Sequence, residues 1–85
     1  MSEKATIDDE SEFAQAMGQL LREYRIKADL SQESLAGILC VHPNTVSNYE
    51  RGLGRLPVAL FCRICDALEI QAGQVFREAE RRGVK

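Results

Sequence analysis

The chain contains 85 residues with a mass of 9.5 kDa, which is the size of one small domain with a single hydrophobic core. Its longest unbroken apolar run, residues 58–62, is far shorter than the roughly 18 residues that a membrane span requires. Three cysteines, and an acidic N-terminus without the features of an export signal, favour a reduced, cytoplasmic setting. Secreted proteins, membrane proteins and large enzymes are therefore excluded.

The acidic charge is concentrated at one end of the chain. The formal net charge is −2, but residues 1–12 carry five acidic side chains and one lysine, which leaves the remainder mildly basic. We therefore divide the chain into an acidic, flexible leader (1–12), a folded domain (13–82) and a short tail (83–85). The charge balance of the folded domain permits DNA binding without requiring it.

Helical periodicity dominates the folded domain. The first predicted helix follows Asp9 and Glu12, whose three-residue spacing predicts a capping box at its start. Its apolar residues recur at helical spacing and define one continuous face. These residues are Phe13, Met17, Leu20, Leu21, Tyr24 and Ala28.

Two shorter helices follow. Ser31 is a suitable N-cap for the second helix, which ends near Cys40. The third helix has His42 in the capping position and Pro43 in its first turn, and it stops at Gly52, a residue type favoured just after a helix end. The second helix is predicted to bury Leu35, Ala36, Ile38 and Leu39.

Two more helices complete the predicted fold, which is all-α. Pro57 opens the fourth helix after a loop at 52–57, and the fifth helix begins near Ala72. No segment alternates at period two, so no strand is predicted. The apolar residues of these two helices are Val58, Phe61, Ile64, Cys65 and Leu68, followed by Val75, Phe76 and Ala79.

The third helix carries a polar stripe on the face opposite its apolar residues. Asn44, Ser47, Asn48 and Arg51 fall at i, i+3, i+4 and i+7, so they share one face. Asparagine and serine are mediocre helix formers, and a merely solvated face usually carries glutamate and lysine instead. Amides and hydroxyls read base edges in the major groove, and arginine binds bases or phosphates. The stripe alone leaves open both a DNA-reading surface and a solvated helix without a partner.

Short motifs occur in order along the second, third and fourth helices. They are Ser31-Gln32, Leu35-Ala36, Val41, Thr45-Val46-Ser47, Tyr49-Glu50-Arg51-Gly52 and Ala67-Leu68. Over about residues 16–76, the chain resembles the helix-turn-helix regulators of the Cro and phage-repressor (XRE-like) family. The resemblance implies a compact five-helix bundle of the λ-repressor-like DNA-binding type, with the helix-turn-helix at about 31–51.

This resemblance implies a sequence-specific DNA-binding transcriptional regulator, which reads a pseudopalindromic operator through the major groove as a homodimer. The implied setting is the cytoplasm of a bacterium, or that of a phage host, in association with the nucleoid. Phage repressors, restriction–modification controllers and antitoxins all fit, and so does a further protein partner such as a toxin or a polymerase. The alternative is a protein-interaction module with the same fold, antitoxin-like or an adaptor, in which DNA binding is weak or lost.

The resemblance also implies roles for individual residues. The polar stripe faces bases, and Thr45 contacts a phosphate or a thymine methyl group. Gln32 donates to a phosphate and braces the first recognition residue, while Arg51 and Arg55 reach the DNA backbone. The implied DNA-binding residues are Gln32, His42, Pro43, Asn44, Thr45, Ser47, Asn48, Arg51 and Arg55.

Two further features follow from the same resemblance. Arg25 and Glu50 match positions that form a clamp between the first and third helices, and the alternative is two separate surface charges of almost no energetic value. The dimer surface is expected on the last helix together with an exposed part of the fourth. Adjacent residues on a helix point about 100° apart, so one of the 75/76 pair is expected inside and the other at the rim. The alternative is that both seal the bottom of the core. The predicted interface residues are Leu60, Val75, Phe76 and Ala79.

The chain departs from the family pattern at three positions. Cys40 occupies a turn position where glycine is usual and φ is often positive. A cysteine there costs on the order of 1 kcal/mol or forces a different turn. Pro43 replaces a side chain that reads DNA in many members, so base reading shifts to Asn44, Ser47 and Asn48. Gln71 stands where serine commonly caps the last helix.

The cysteines offer a competing interpretation. Cys62 and Cys65, with Cys40 and His42, supply a possible set of four zinc ligands. Both members of the 62/65 pair are predicted to face the core, however, and free cysteine is among the most buried residue types. We therefore assign no metal and no cofactor. Redox sensing by the cysteines is a further alternative. Because the chain has no nucleotide-binding loop and no nucleophile elbow, it is not expected to be an enzyme.

Overall fold

The computed structural model of the chain describes residues 6–7 and 12–83, and within these ranges it contains five helices and two very short strands. The all-α, five-helix prediction is therefore confirmed. The first helix begins at Glu12, one residue before the predicted folded domain, and the last helix ends at Gly83, inside the predicted tail. The elements are β1 (Thr6–Ile7), α1 (Glu12–Lys27), α2 (Gln32–Leu39), α3 (Pro43–Glu50), β2 (Leu56–Pro57), α4 (Val58–Leu68) and α5 (Ala72–Gly83).

One hydrophobic core joins the helices. Helix α1 packs against α5 on one side and against α3 on another, while α2 packs against both α3 and α4. Burying one large apolar side chain contributes about 1.5–3 kcal/mol, so the largest buried side chains provide most of the favourable packing energy. The largest fully buried side chains are Phe61, Met17, Leu21, Leu35, Val75 and Cys65.

Three helices end in the same way, with a non-glycine residue in the left-handed conformation. Asp29, Cys40 and Glu69 have φ values of 63°, 59° and 59°. The next residue in each case donates its backbone N–H five residues back; for example, Val41 N lies 3.0 Å from the Ala36 carbonyl oxygen. This arrangement satisfies carbonyl groups that the helix leaves unpaired. Of the two outcomes expected at Cys40, the structure shows the left-handed turn and not a different one.

Two predictions about local structure are wrong. Ile38 was expected in the core but is 54% exposed, because it lies on the outer side of α2. No strand was expected, yet β1 and β2 pair antiparallel, with Thr6 opposite Pro57 and Ile7 opposite Leu56. Strands of two residues have no periodicity by which they could be detected. The pairing joins part of the acidic leader to the segment just before α4. Asp9 of the predicted capping box lies outside the described residues.

Each described helix is too short or too polar to cross a membrane. The longest of them, α1, has only 16 residues. That is below the length of about 20 apolar residues that a hydrocarbon core demands.

Candidate nucleic-acid interface

Helix α3 begins with a side-chain cap that the sequence predicted. His42 is the N-cap residue, with φ −72° and ψ 143°, and its Nδ1 accepts a hydrogen bond of 3.0 Å from the Asn44 backbone N–H. Pro43 occupies the first turn, where its missing N–H costs nothing. His42 therefore defines where α3 starts.

The polar stripe of α3 faces away from the core. Asn44, Asn48 and Arg51 are exposed, and Ser47 is half-buried. On the opposite face, Val46 is only 3% exposed and packs into the core. Helix α3 therefore exposes amide and guanidinium groups on one side, while its other side is anchored in the core.

The remaining predicted contact residues border this stripe. Pro43 and Thr45 are half-buried, and Arg55 is exposed. Arg51 closes α3 as its C-cap, and Gly52 and Gly54 then turn the chain with φ values of 75° and 77°. These turns bring a second exposed arginine to the segment that follows the helix.

A buried ion pair ties α3 to α1. Arg25 Nε donates to Glu50 Oε2 at 2.6 Å and Arg25 Nη2 donates to Glu50 Oε1 at 3.1 Å, so the predicted clamp is present as a bidentate pair. The side chains are only 10% and 3% exposed. A third bond, from Arg25 Nη1 to the Leu30 carbonyl oxygen at 2.7 Å, extends the contact to the loop before α2. The pair is therefore a fixed internal joint rather than two surface charges.

Gln32 joins the same cluster, which the sequence did not predict. Its Nε2 donates to Glu50 Oε1 at 2.9 Å, so one amide hydrogen is directed at α3. Gln32 is the first residue of α2, and the bond therefore fixes the start of α2 against the end of α3. Among the described residues, no buried side-chain nitrogen or oxygen atom lacks a hydrogen-bond partner.

Arg63 is a second residue whose role sequence reasoning missed. Its Nη2 donates to the Leu39 carbonyl oxygen at 2.9 Å, across 24 residues of sequence. This bond satisfies a carbonyl group at the end of α2, just before the turn into α3. No local pattern could reveal it, because the donor lies on α4 and the acceptor is main chain.

The predicted dimer residues divide into two groups. Val75 and Ala79 have no exposed surface and belong to the core, so their assignment to an interface is corrected. Leu60 and Phe76 are half-buried. The Phe76 ring lies 5.9 Å from the Phe13 ring in a stacked arrangement. The expectation that only one of two neighbours on α5 would be fully buried is confirmed, with Val75 inside and Phe76 at the rim.

The cysteines occupy three different environments. Cys40 and Cys62 are exposed, and Cys65 is buried. The prediction that Cys62 faces the core is wrong, because α4 turns it outward. Burial raises the pKa of the Cys65 thiol to about 12, with smaller contributions from Cys62 and Asp66. Within residues 6–7 and 12–83, no three histidine, cysteine, aspartate or glutamate side chains are grouped as a metal site requires.

Known proteins share this architecture. A family profile described as a helix-turn-helix domain matches residues 16–79. The clp gene regulator ClgR from Corynebacterium glutamicum superimposes with a TM-score of 0.79 at 28% identity, covering 85% of this chain and 92% of that chain. A search of the curated proteins finds no match.

Two restriction–modification controller proteins are also similar. C.AhdI from Aeromonas hydrophila gives a TM-score of 0.67 at 32% identity, covering 78% of this chain and 94% of its own. C.Esp1396I bound to a 19 base pair DNA duplex gives a TM-score of 0.73 at 19% identity, covering 86% and 97%. At 19% identity, the similarity to C.Esp1396I shows a shared fold only.

Proposed function

The chain belongs to the helix-turn-helix domain family, and on that basis we propose that it is a sequence-specific DNA-binding transcriptional regulator of the cytoplasm. In this proposal α3 lies in the major groove and reads base edges, and two copies read the two halves of a pseudopalindromic operator. No catalytic step is part of the proposal.

The observation that carries the proposal is the exposed stripe on a rigidly held α3. Asn44 and Arg51, at the two ends of the stripe, are seven positions apart, or roughly 10 Å along the helix axis, a length that matches about three base pairs. Asparagine bonds adenine in a bidentate manner, and arginine bonds guanine or a phosphate. The buried face of the same helix is fixed by Val46 and Glu50, so the stripe has one orientation.

Backbone contacts are assigned to the residues around the stripe. Arg51 and Arg55 are exposed on either side of the turn after α3 and are proposed to contact phosphates. An amide nitrogen carries two hydrogens, so Gln32 can bond Glu50 with one and a phosphate with the other. Thr45 is proposed to contact a phosphate or a thymine methyl group. His42 and Pro43 contribute the shape of the helix start rather than a base contact.

A homodimer is proposed because one α3 makes few base contacts. Two copies related by a twofold axis would place their α3 helices in successive major grooves, about 34 Å apart. C.Esp1396I, which shares the fold, is bound to a duplex of 19 base pairs, long enough for two such half-sites. Of the predicted interface residues, Leu60 and Phe76 retain surface for a partner.

Selection of bound sequences from a random DNA library tests DNA reading directly. The operator so obtained is then used with the Asn48→Ala variant, which is expected to lose about 1–3 kcal/mol of operator binding with little change on random DNA. Gln74→Ala, an exposed amide removed from α5, is the matched control and should bind as the wild type does. Equal losses on operator and random DNA would reassign Asn48 to the DNA backbone.

The phosphate contacts have a different signature. Arg51→Ala and Arg55→Ala should weaken binding to all sequences and lower the slope of log K against log salt by about one unit each. Arg77→Ala removes an exposed arginine from α5 and serves as the control for net charge. An unchanged slope in both α3-side variants contradicts their assignment.

Sedimentation with and without operator DNA tests the homodimer. Leu60→Glu is the informative variant, because Phe76 also packs at 4.8 Å from the Phe61 ring and its substitution would disturb the core. The variant should be a folded monomer that loses affinity for the palindrome far more than for one half-site. Ile38→Glu is a matched control, because it places the same charge on an exposed apolar residue of α2. If only Ile38→Glu gives a monomer, the interface lies on α2 instead.

A protein-interaction module is the second candidate, and one observation favours it. Ile38 is 54% exposed and lines a groove whose walls combine apolar side chains with the charged Lys27 and Glu69, a mixed surface suited to a protein partner. In that case the wild-type chain would show no salt-dependent binding to mixed DNA. Binding that falls steeply with salt would favour the regulator.

A further inference from the structure

The end of α3 rests directly on the backbone of α1. At Gly18 of α1, a Cβ atom would lie 2.6 Å from the Glu50 carbonyl oxygen and 2.9 Å from its carbonyl carbon, and it would also overlap the Tyr49 carbonyl oxygen. These neighbours are main-chain atoms, so no side-chain rotation can make room. Any larger residue at Gly18 must push the end of α3 away.

A second close contact lies one turn further along. Gly52, which follows α3 with φ 75°, would bring a Cβ atom to 2.9 Å from Gln15 Cγ and 3.0 Å from Gln15 Cα. Gln15 and Gly18 stand three residues apart and therefore lie on the same face of α1. We call this contact, of Gln15 and Gly18 with residues 49–52, the glycine seat.

From the glycine seat we propose that Gly18 is a positioning residue for DNA reading, which sets the height of the end of α3 above α1. The proposal rests on the proposed DNA-binding function. The start of α3 is fixed separately by the His42 cap, whereas its end carries Asn48 and Arg51 of the stripe. Lifting only the end therefore tilts the helix and moves those two side chains relative to the bases.

The displacement is large enough to matter. An overlap of this kind forces a backbone shift of about half an ångström or more, because packed interiors yield little. Hydrogen bonds to bases occupy a narrow range of distances, roughly 2.7–3.2 Å, and weaken steeply when misaligned. Phosphate contacts by long, flexible arginine side chains tolerate the same shift. The seat should therefore govern specific binding much more than nonspecific binding.

Alanine substitutions at three helical glycines test this inference. Gly18→Ala should lose operator affinity by about tenfold or more, the equivalent of one good base contact, while binding to random DNA changes by about twofold or less. Gly37→Ala and Gly73→Ala are matched controls, since a Cβ atom meets nothing within 4 Å at Gly37 and only the flexible Arg77 side chain at Gly73. Both should bind the operator as the wild type does.

A structural readout accompanies the binding data. In two-dimensional amide NMR spectra, Gly18→Ala should shift the signals of residues 47–53, whereas the two controls should leave that segment unchanged. A folded Gly18→Ala variant with wild-type operator affinity, or with an unshifted 47–53 segment, overturns the inference.

A milder variant covers the case in which Gly18→Ala does not fold. Gly52→Asn places a residue that tolerates positive φ at the other half of the seat, where a shift of only a few tenths of an ångström is needed. It should reduce the ratio of operator to random-DNA affinity relative to the wild type, and an unchanged ratio contradicts the proposal. If the wild type binds no DNA, the proposed function fails and this role fails with it. If the wild type binds and both variants bind equally well, only the seat is refuted.

Discussion

Helix α1 carries two arginine–glutamate ion pairs of similar geometry in opposite surroundings. Toward α3, Arg25 holds Glu50 through bonds of 2.6 and 3.1 Å, with side chains 10% and 3% exposed. Toward α5, Glu23 accepts two bonds of 3.1 Å from Arg82, with side chains 52% and 33% exposed. Both pairs are bidentate, and they differ most in their access to water.

That difference decides what each pair contributes. The Arg82 guanidinium, chiefly by its hydrogen bonds, lowers the pKa of Glu23, but an exposed pair is screened and is worth about 0–1 kcal/mol. Losing one partner of a buried pair leaves an uncompensated charge inside the protein. The α1–α3 contact is thus held by groups that fit in only one arrangement. The α1–α5 contact depends on apolar packing, which tolerates small adjustments.

The two ion pairs differ in their importance for function because they fix different helices. The buried pair, with Gln32 and the glycine seat, orients the helix that carries the polar stripe. Reading base edges requires such orientation, because hydrogen bonds to bases are directional. The exposed pair lies at the end of α5, which carries none of the residues proposed to contact DNA.

Removing the buried carboxylate should give the largest effect. Glu50→Gln keeps the shape of the side chain but leaves the Arg25 charge buried without its counter-charge, so the free energy of unfolding should fall by about 3–5 kcal/mol. Glu23→Gln makes the same chemical change on the exposed pair and should cost less than about 1 kcal/mol. Urea denaturation measures both. Similar losses in the two variants would show that burial does not separate the pairs.

The cap of α3 gives the next largest effect on the same side of the molecule. His42→Ala removes the acceptor for the Asn44 N–H and should lower the free energy of unfolding by about 1 kcal/mol. His42→Ser supplies another acceptor at the N-cap and should recover most of the loss. Thermal unfolding of the three proteins measures this, and a serine variant no better than the alanine variant would contradict the role of the cap.

The two cysteines of α4 repeat the comparison between buried and exposed groups, with a smaller effect. The thiol pKa of Cys65 rises from 9.0 to about 12 on folding, so the folded state disfavours the thiolate. The Cys65 thiol therefore does not lower the free energy of unfolding at pH values well below 9, but it lowers it increasingly as the pH rises toward 12. The linkage relation gives a loss of about 0.8 kcal/mol at pH 9.5. Cys65→Ala should remove this decline, whereas Cys62→Ala should retain it. Denaturation at pH 7.5 and 9.5 checks the sign.

Much of the site could be predicted because its signals are local. Ser31 and His42 accept hydrogen bonds from residues two or three positions away, so the sequence alone locates the starts of α2 and α3. The polar stripe depends only on helical periodicity and on the types of residue that read DNA. The clamp was implied by resemblance, since its partners are 25 residues apart and no local pattern joins them.

Only the tertiary structure decided how the faces are covered. Periodicity shows that a helix has an apolar side, but it does not show how far a neighbour extends over that side. Ile38 and Cys62 are exposed because no neighbouring helix among the described residues covers them, whereas Val75 and Ala79 are completely buried. The glycine seat has the same origin, because its close contacts exist only where two distant backbones meet. The sequence by itself therefore determined the helices and the stripe, and packing determined the height and tilt at which α3 presents it.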